Sequence, residues 1–205
     1  MRFFRWKTFL TTAFITVLPI FLGLALWNEL PDTMAIHFNI NNEPDNFAAK
    51  WFVVFMLPLF MVLMQFICCI SIDNNSAKHG EQKKFEKVVK WIIPVMSMVL
   101  HVATLGYSLG WNIDIRKVAA LIVAGEFLVT GNYLPKFDYI KNYNLPKDKA
   151  RKINRFMGYM LVIFGLLFLI SIFLPPVTTL ICVCLLIPFA IISAVYLLIN
   201  VNKRG

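Results

Sequence analysis

The sequence predicts an all-α, polytopic integral membrane helical bundle with six transmembrane helices and both termini cytoplasmic. Three observations carry that prediction. Six long apolar runs lie along the 205 residues, the basic residues gather in alternate connections, and no connection is long enough to hold a soluble domain. A hydrocarbon core of about 30 Å is crossed by roughly 20 apolar residues of helix. The runs cover 8–28, 51–72, 88–110, 118–134, 156–174 and 177–201. They leave an extracytoplasmic loop at 29–50 and cytoplasmic loops at 73–87 and 135–155, so the chain reads as a single six-span membrane domain over 1–205.

The first run is longer than the apolar region of a signal peptide. It ends in Asn28-Glu29-Leu30-Pro31, which offers no small-residue cleavage site, so it reads as a retained signal anchor. The fourth run is short and carries Glu126; charge secures it. Lys and Arg concentrate in cytoplasmic loops. With the N-terminus inside, seventeen of the twenty basic residues fall on the cytoplasmic side, and only Lys50, Arg116 and Lys117 lie outside. Without the fourth span, the seven basic residues from Lys136 to Arg155 would move outside and the asymmetry would vanish. Pro175-Pro176 closes a tight outer turn and makes the last two spans an antiparallel hairpin; Pro19, Pro58, Pro94 and Pro188 mark candidate kinks.

The net charge of +9 follows from this bias and from attraction to anionic lipid. Direct nucleic-acid binding would need a basic face on a folded soluble domain, and no segment can form one. Cys68, Cys69, Cys182 and Cys184 all fall inside spans; adjacent thiols point to different helix faces, so they read as small packing residues rather than disulfides or a metal site.

In the outer loop, Met34, Ile36, Phe38 and Ile40 alternate with other residues, which predicts a short extended segment with one apolar edge. Asn41-Asn42-Glu43-Pro44-Asp45-Asn46 reads as a turn. Glu29, Asp32, Glu43 and Asp45 outweigh Lys50. An acidic, partly apolar outer patch suits a cationic amphipathic peptide, with Asp32, His37, Phe38, Asn39, Glu43, Pro44 and Asp45 as candidate contacts. The alternative is an interfacial cap that closes the bundle. A lone His37 with scattered carboxylates is a hydrogen-bonded structural histidine in preference to a metal ligand.

These residues carry a resemblance. Leu-Pro-x-x-Met-x-Ile-His-Phe-Asn from Leu30, then Glu43-Pro44-Asp45, then Lys50-Trp51 before a span, resembles the N-terminal membrane domain of the SdpI family, bacterial immunity proteins against sporulation-delaying-type toxins. Gly131-Asn132-Tyr133-Leu134-Pro135-Lys136 at the inner end of span four and Arg151-x-x-Asn154-Arg155-x-x-Gly158 entering span five match further motifs. The resemblance implies a multi-pass bacterial plasma-membrane protein that protects its cell from a secreted membrane-active peptide. It also implies a cytoplasmic face that holds a repressor at the membrane. The connection Phe137-Asp138-Tyr139-Ile140-Lys141-Asn142-Tyr143-Asn144-Leu145-Pro146 lacks the Gly-Ile-Arg-Thr-Pro-Trp-Thr-like stretch common in that family, and Asn42-Glu43 occupies the slot of a usual Gly.

Inside the bundle, Glu126 is the most expensive residue, at roughly 2–3 kcal/mol or more on insertion scales. His101 lies nine residues before Gly110 and Glu126 nine after Lys117, which puts both about 13–14 Å from the outer surface. They are positioned to pair. Ser97, His101, Thr104 and Ser108 share one helix face; Thr130 and Tyr133 share a face with Glu126, and Gln65, Ser193, Tyr196 and Asn200 extend the polar seam. Such a seam is either interhelical glue or a proton-linked site, and the second option makes the chain a small proton-coupled transporter. Gly125, Gly131, Gly158 and Gly165 read as close-packing positions.

The stretch 147–155 before span five reads as a short amphipathic helix on the inner leaflet, with Lys149, Arg151 and Lys152 meeting anionic lipid or an acidic partner. No Gly-rich phosphate loop, His-Glu-x-x-His, Gly-x-Ser-x-Gly or Cys-x-x-Cys motif occurs, so neither an enzyme nor a cofactor is expected.

Overall fold

The computed structural model describes residues 4–75, 80–136 and 147–202. Six helices are long and apolar enough to cross a membrane. They are α1 (Trp6–Ala25), α2 (Leu57–Asn75), α3 (Gly80–Ser108), α4 (Ile115–Tyr133), α5 (Lys147–Ser171) and α6 (Pro176–Asn202). Between α1 and α2 lies an antiparallel hairpin of β1 (Thr33–Phe38) and β2 (Pro44–Ala49). The chain divides into two compact units, Met1–Ala119 and Ala120–Gly205.

Several boundaries differ from the sequence reading. The inner loop expected at 73–87 is mostly helix, because α2 continues to Asn75 and α3 starts at Gly80. The basic stretch before span five is the first part of α5 itself and forms no separate interfacial helix. Its first turns already bury Ile153 and Asn154 while Arg151, Lys152 and Arg155 stay exposed, so one face has packing to gain from continuing. Pro44-Asp45-Asn46 belongs to β2; the turn is confined to residues 39–43.

In the first unit, α1, α2 and α3 pack around a core of Leu30, Met34, Val53, Val54 and Leu105. Gly23 permits the contact with the second helical segment: a Cβ there would stand 2.7 Å from Val54 Cγ1. Phe52–Met56 form a single π-helical turn just before Leu57-Pro58. Pro58 has no N–H, and its ring would meet the carbonyl of residue 54 in a regular α-turn; the wide turn relieves both constraints. At the far end of α3, Gly110 takes φ +83°. Its N–H donates to the Tyr107 carbonyl and that of Trp111 to the Gly106 carbonyl, a left-handed stop that satisfies the last carbonyls.

In the second unit, Ala120 and Ala124 of α4 pack with Phe168 and Cys182. Backbone proximity replaces side-chain bulk: Cβ atoms at Gly131 and Gly158 would stand 2.6 and 2.7 Å from the other's carbonyl oxygen, and one at Gly165 2.8 Å from Leu128. Small residues bring membrane helices together this way. Gly125 is a correction, since nothing lies within 4 Å of its virtual Cβ. α5 and α6 are joined by a short turn and zipped by Phe156–Tyr196 and Phe164–Phe189 ring contacts. All four cysteines are free.

Candidate functional site

The hairpin is held at both ends. Lys50 starts the helical segment after β2, and its ammonium donates to the carbonyls of Trp27 (3.1 Å) and Leu30 (3.0 Å), just past the end of α1. It also lies 3.4 Å from Asp32 and 5.0 Å over the Trp27 ring. A cation on carbonyls left unpaired by a helix end answers both their lone pairs and the helix dipole. At the tip, Asn42 adopts φ 64°. Its amide donates to the Ile113 carbonyl (3.1 Å) and its Oδ1 accepts the Ile115 N–H (2.8 Å), which caps α4. Phe38 meets Tyr107 of α3 edge to face.

The turn is built by Asn39. Its Oδ1 accepts the N–H groups of Asn41 and Glu43, its amide donates to Glu43 Oε2, and its own N–H donates to the Glu43 carbonyl. His37 Nδ1 contacts Asp45 Oδ1. The structure thus brings the seven outer-loop candidates onto one hairpin. No group of three or more metal-ligating side chains occurs among the described residues.

The expected single apolar edge is not what forms. Ala35 pairs with Phe47 and His37 with Asn46, which leaves Ile36 as an extra residue; Phe38 pairs with Pro44, which leaves Asp45 extra on the other strand. Each bulge breaks the two-residue alternation. Met34 and Ala35 are buried while Ile36, Ile40 and Phe47 are exposed, Phe47 by 54%. The hairpin exposes these apolar side chains together with Asp32, Glu43 and Asp45.

Within the first unit, two of the expected seam residues, Ser97 and Gln65, make buried hydrogen bonds to other helices. Ser97 donates to the Thr16 carbonyl. Thr104 and Ser108 turn back to carbonyls of α3 itself. Gln65 donates to Thr12 Oγ1 (2.7 Å), the Lys90 carbonyl (2.9 Å) and Cys69 Sγ (3.4 Å). Below it sits a charge cluster that sequence reasoning missed. Lys90 Nζ lies 2.6 Å from Asp73; Arg5 donates to Asp73 through its backbone N–H (3.0 Å) and to Glu86 through its guanidinium (2.6 Å). Lys90 and Asp73 are 1% and 3% exposed. One signal was present: Lys90 sits inside the apolar run 88–110, where a cation needs a counterion, and Asp73 closes the preceding span.

His101 Nε2 and Gln65 Oε1 in the first unit, and Glu126 Oε1 and Ser193 Oγ in the second, are buried polar atoms without a hydrogen-bond partner among the described residues. Tyr196 packs on Phe156 and Tyr133 stands under Lys136 Nζ at 5.4 Å. Asn132 is exposed. The side chain of Asn200 and the connection 137–146 lie outside the described residues.

Fold and surface define a multi-pass membrane protein with a hairpin appended to one end of its first three helices. Residues 14–62 match the model of a domain of unknown function, DUF1648, and residues 115–205 that of a second domain of unknown function, DUF3784. No curated protein and no solved structure matches the chain.

Proposed function

We propose that this is a plasma-membrane immunity protein of a bacterium, which captures a secreted, cationic membrane-active peptide on its hairpin before the peptide inserts. The observation that carries this reading is the hairpin's exposed surface, which includes Ile36, Ile40 and Phe47 as well as Asp32, Glu43 and Asp45. Apolar area with complementary charge suits an amphipathic cationic ligand. Lys50 and Asn42 fix that surface in place, which lowers the ordering cost of binding. The SdpI-type motifs at 30–51, 131–136 and 151–158 support the same reading. The exposed Arg151, Lys152 and Arg155 leave a cytoplasmic surface for anionic lipid or an acidic regulator.

The test is survival of a toxin-sensitive Gram-positive strain that expresses the chain and is challenged with a sporulation-delaying-type toxin. Wild type protects, Ile36→Ser/Phe47→Ser loses protection, and Glu126→Gln keeps it. Protection that survives the hairpin change but disappears with Glu126→Gln would replace this reading with a second one, a small proton-coupled transporter. The unsatisfied buried atoms of His101 and Glu126 favour that alternative.

A further inference from the structure

We propose that the first unit carries a site for the phosphate headgroup of an anionic phospholipid, between α1 and α3 at the lysine-rich end of the bundle. A cleft of about 360 Å³ opens there, lined by Arg5, Lys7, Thr8 and Thr11 on one side and Lys87, Lys90 and Trp91 on the other. The charges do not cancel. Arg5 and Lys90 are neutralised by Asp73 and Glu86. Lys7 and Lys87 have no acidic partner among the described residues, so the cleft keeps two uncompensated ammonium groups beside threonine hydroxyls.

Depth selects a lipid over a soluble anion. Lys7 and Lys87 each stand immediately before an apolar run, at Thr8 and at Val88, so both ammonium groups lie where the chain passes from charged to hydrocarbon-compatible sequence. That level is the headgroup level. Trp6, 58% exposed, and Trp91 in the cleft wall supply the indoles that favour the same layer. Phe14, exposed and two turns along α1 on the face of Lys7, offers apolar surface to an acyl chain. Basic pockets between membrane helices recognise anionic headgroups through such a combination. The buried Lys90–Asp73–Arg5–Glu86 cluster is the rigid floor: it holds the cleft open without supplying the free charge.

The full chain, purified in a neutral detergent, would be titrated with dioleoyl phosphatidylglycerol, dioleoyl phosphatidylcholine and inorganic phosphate, with retained lipid counted by native mass spectrometry. Wild type retains phosphatidylglycerol in preference to phosphatidylcholine, and Lys7→Gln/Lys87→Gln weakens that retention by about tenfold. Lys117→Gln, at the start of α4 and outside the cleft, leaves it unchanged. Lys7 and Lys87 are both exposed, and an unaltered melting temperature of the Lys7→Gln/Lys87→Gln variant confirms its fold. Equal retention of the two lipids, or an unaffected Lys7/Lys87 variant, overturns the proposal. Displacement of the lipid by millimolar inorganic phosphate assigns the cleft to a soluble anion and overturns it as well.

Discussion

Lys90 Nζ and Asp73 Oδ1 stand 2.6 Å apart in a nearly solvent-free junction of α2 and α3, and the same carboxylate accepts the backbone N–H that opens α1. One carboxylate thus ties three helices together. Removing a single partner of a buried pair costs about 3–5 kcal/mol, because the other charge is left uncompensated. Lys90→Met is therefore expected to lower the thermal midpoint in detergent sharply, and Asp73→Asn to do at least as much because it also loses Arg5. A Lys90→Met variant as stable as wild type would show the pair to be dispensable.

Gly131 and Gly158 face each other with no room for a methyl group. Gly131→Ala and Gly158→Ala are each expected to cost about 1–3 kcal/mol by forcing α4 and α5 apart. Gly125→Ala, into open space, is the control and should change the midpoint little. Equal tolerance of all three would contradict the close approach.

Lys50 replaced by Met keeps the aliphatic stem and loses the donors to the Trp27 and Leu30 carbonyls. Hydrogen bonds from charged groups contribute about 1.5–3 kcal/mol. The expected readout is local: faster amide exchange across β1 and β2, with α5 and α6 unaffected. Uniform exchange rates before and after the change would remove Lys50 from its anchoring role.

Asn42 separates two contributions. Asn42→Gly tolerates φ 64° but loses the cap on α4, at about 1 kcal/mol. Asn42→Ala loses the cap and adds left-handed strain of roughly 1 kcal/mol more. Alanine should therefore be the less stable of the two; the reverse order would mean that the turn relaxes out of that conformation.

The spans were legible because transmembrane length and positive-inside bias are properties of composition, and composition survives without knowledge of neighbours. The cluster was not read out, although Arg5 and Lys90 were visible as orienting charges. Asp73 and Glu86 lie far from Arg5 in sequence, and nothing local announces that three helix ends converge. The hairpin was half legible. β1 follows from alternation, whereas Pro44-Asp45-Asn46 carries turn chemistry that pairing with β1 overrides, and two bulges redirect Ile36 and Asp45. The polar stripe on α3 is a true face, but Thr104 and Ser108 satisfy themselves on their own helix, an outcome that spacing alone does not distinguish from interhelical contact.

Asn42 bonds to backbone groups 71 and 73 residues downstream. During synthesis, the tip of the hairpin therefore has nothing to fasten to until more than half the chain has left the ribosome and α3 has entered the bilayer. The first loop to emerge is among the last parts of its unit to settle. In the interval its strands are an unguarded pairing edge in the growing polypeptide, and the short, bulged geometry of β1 and β2 limits what that edge can recruit.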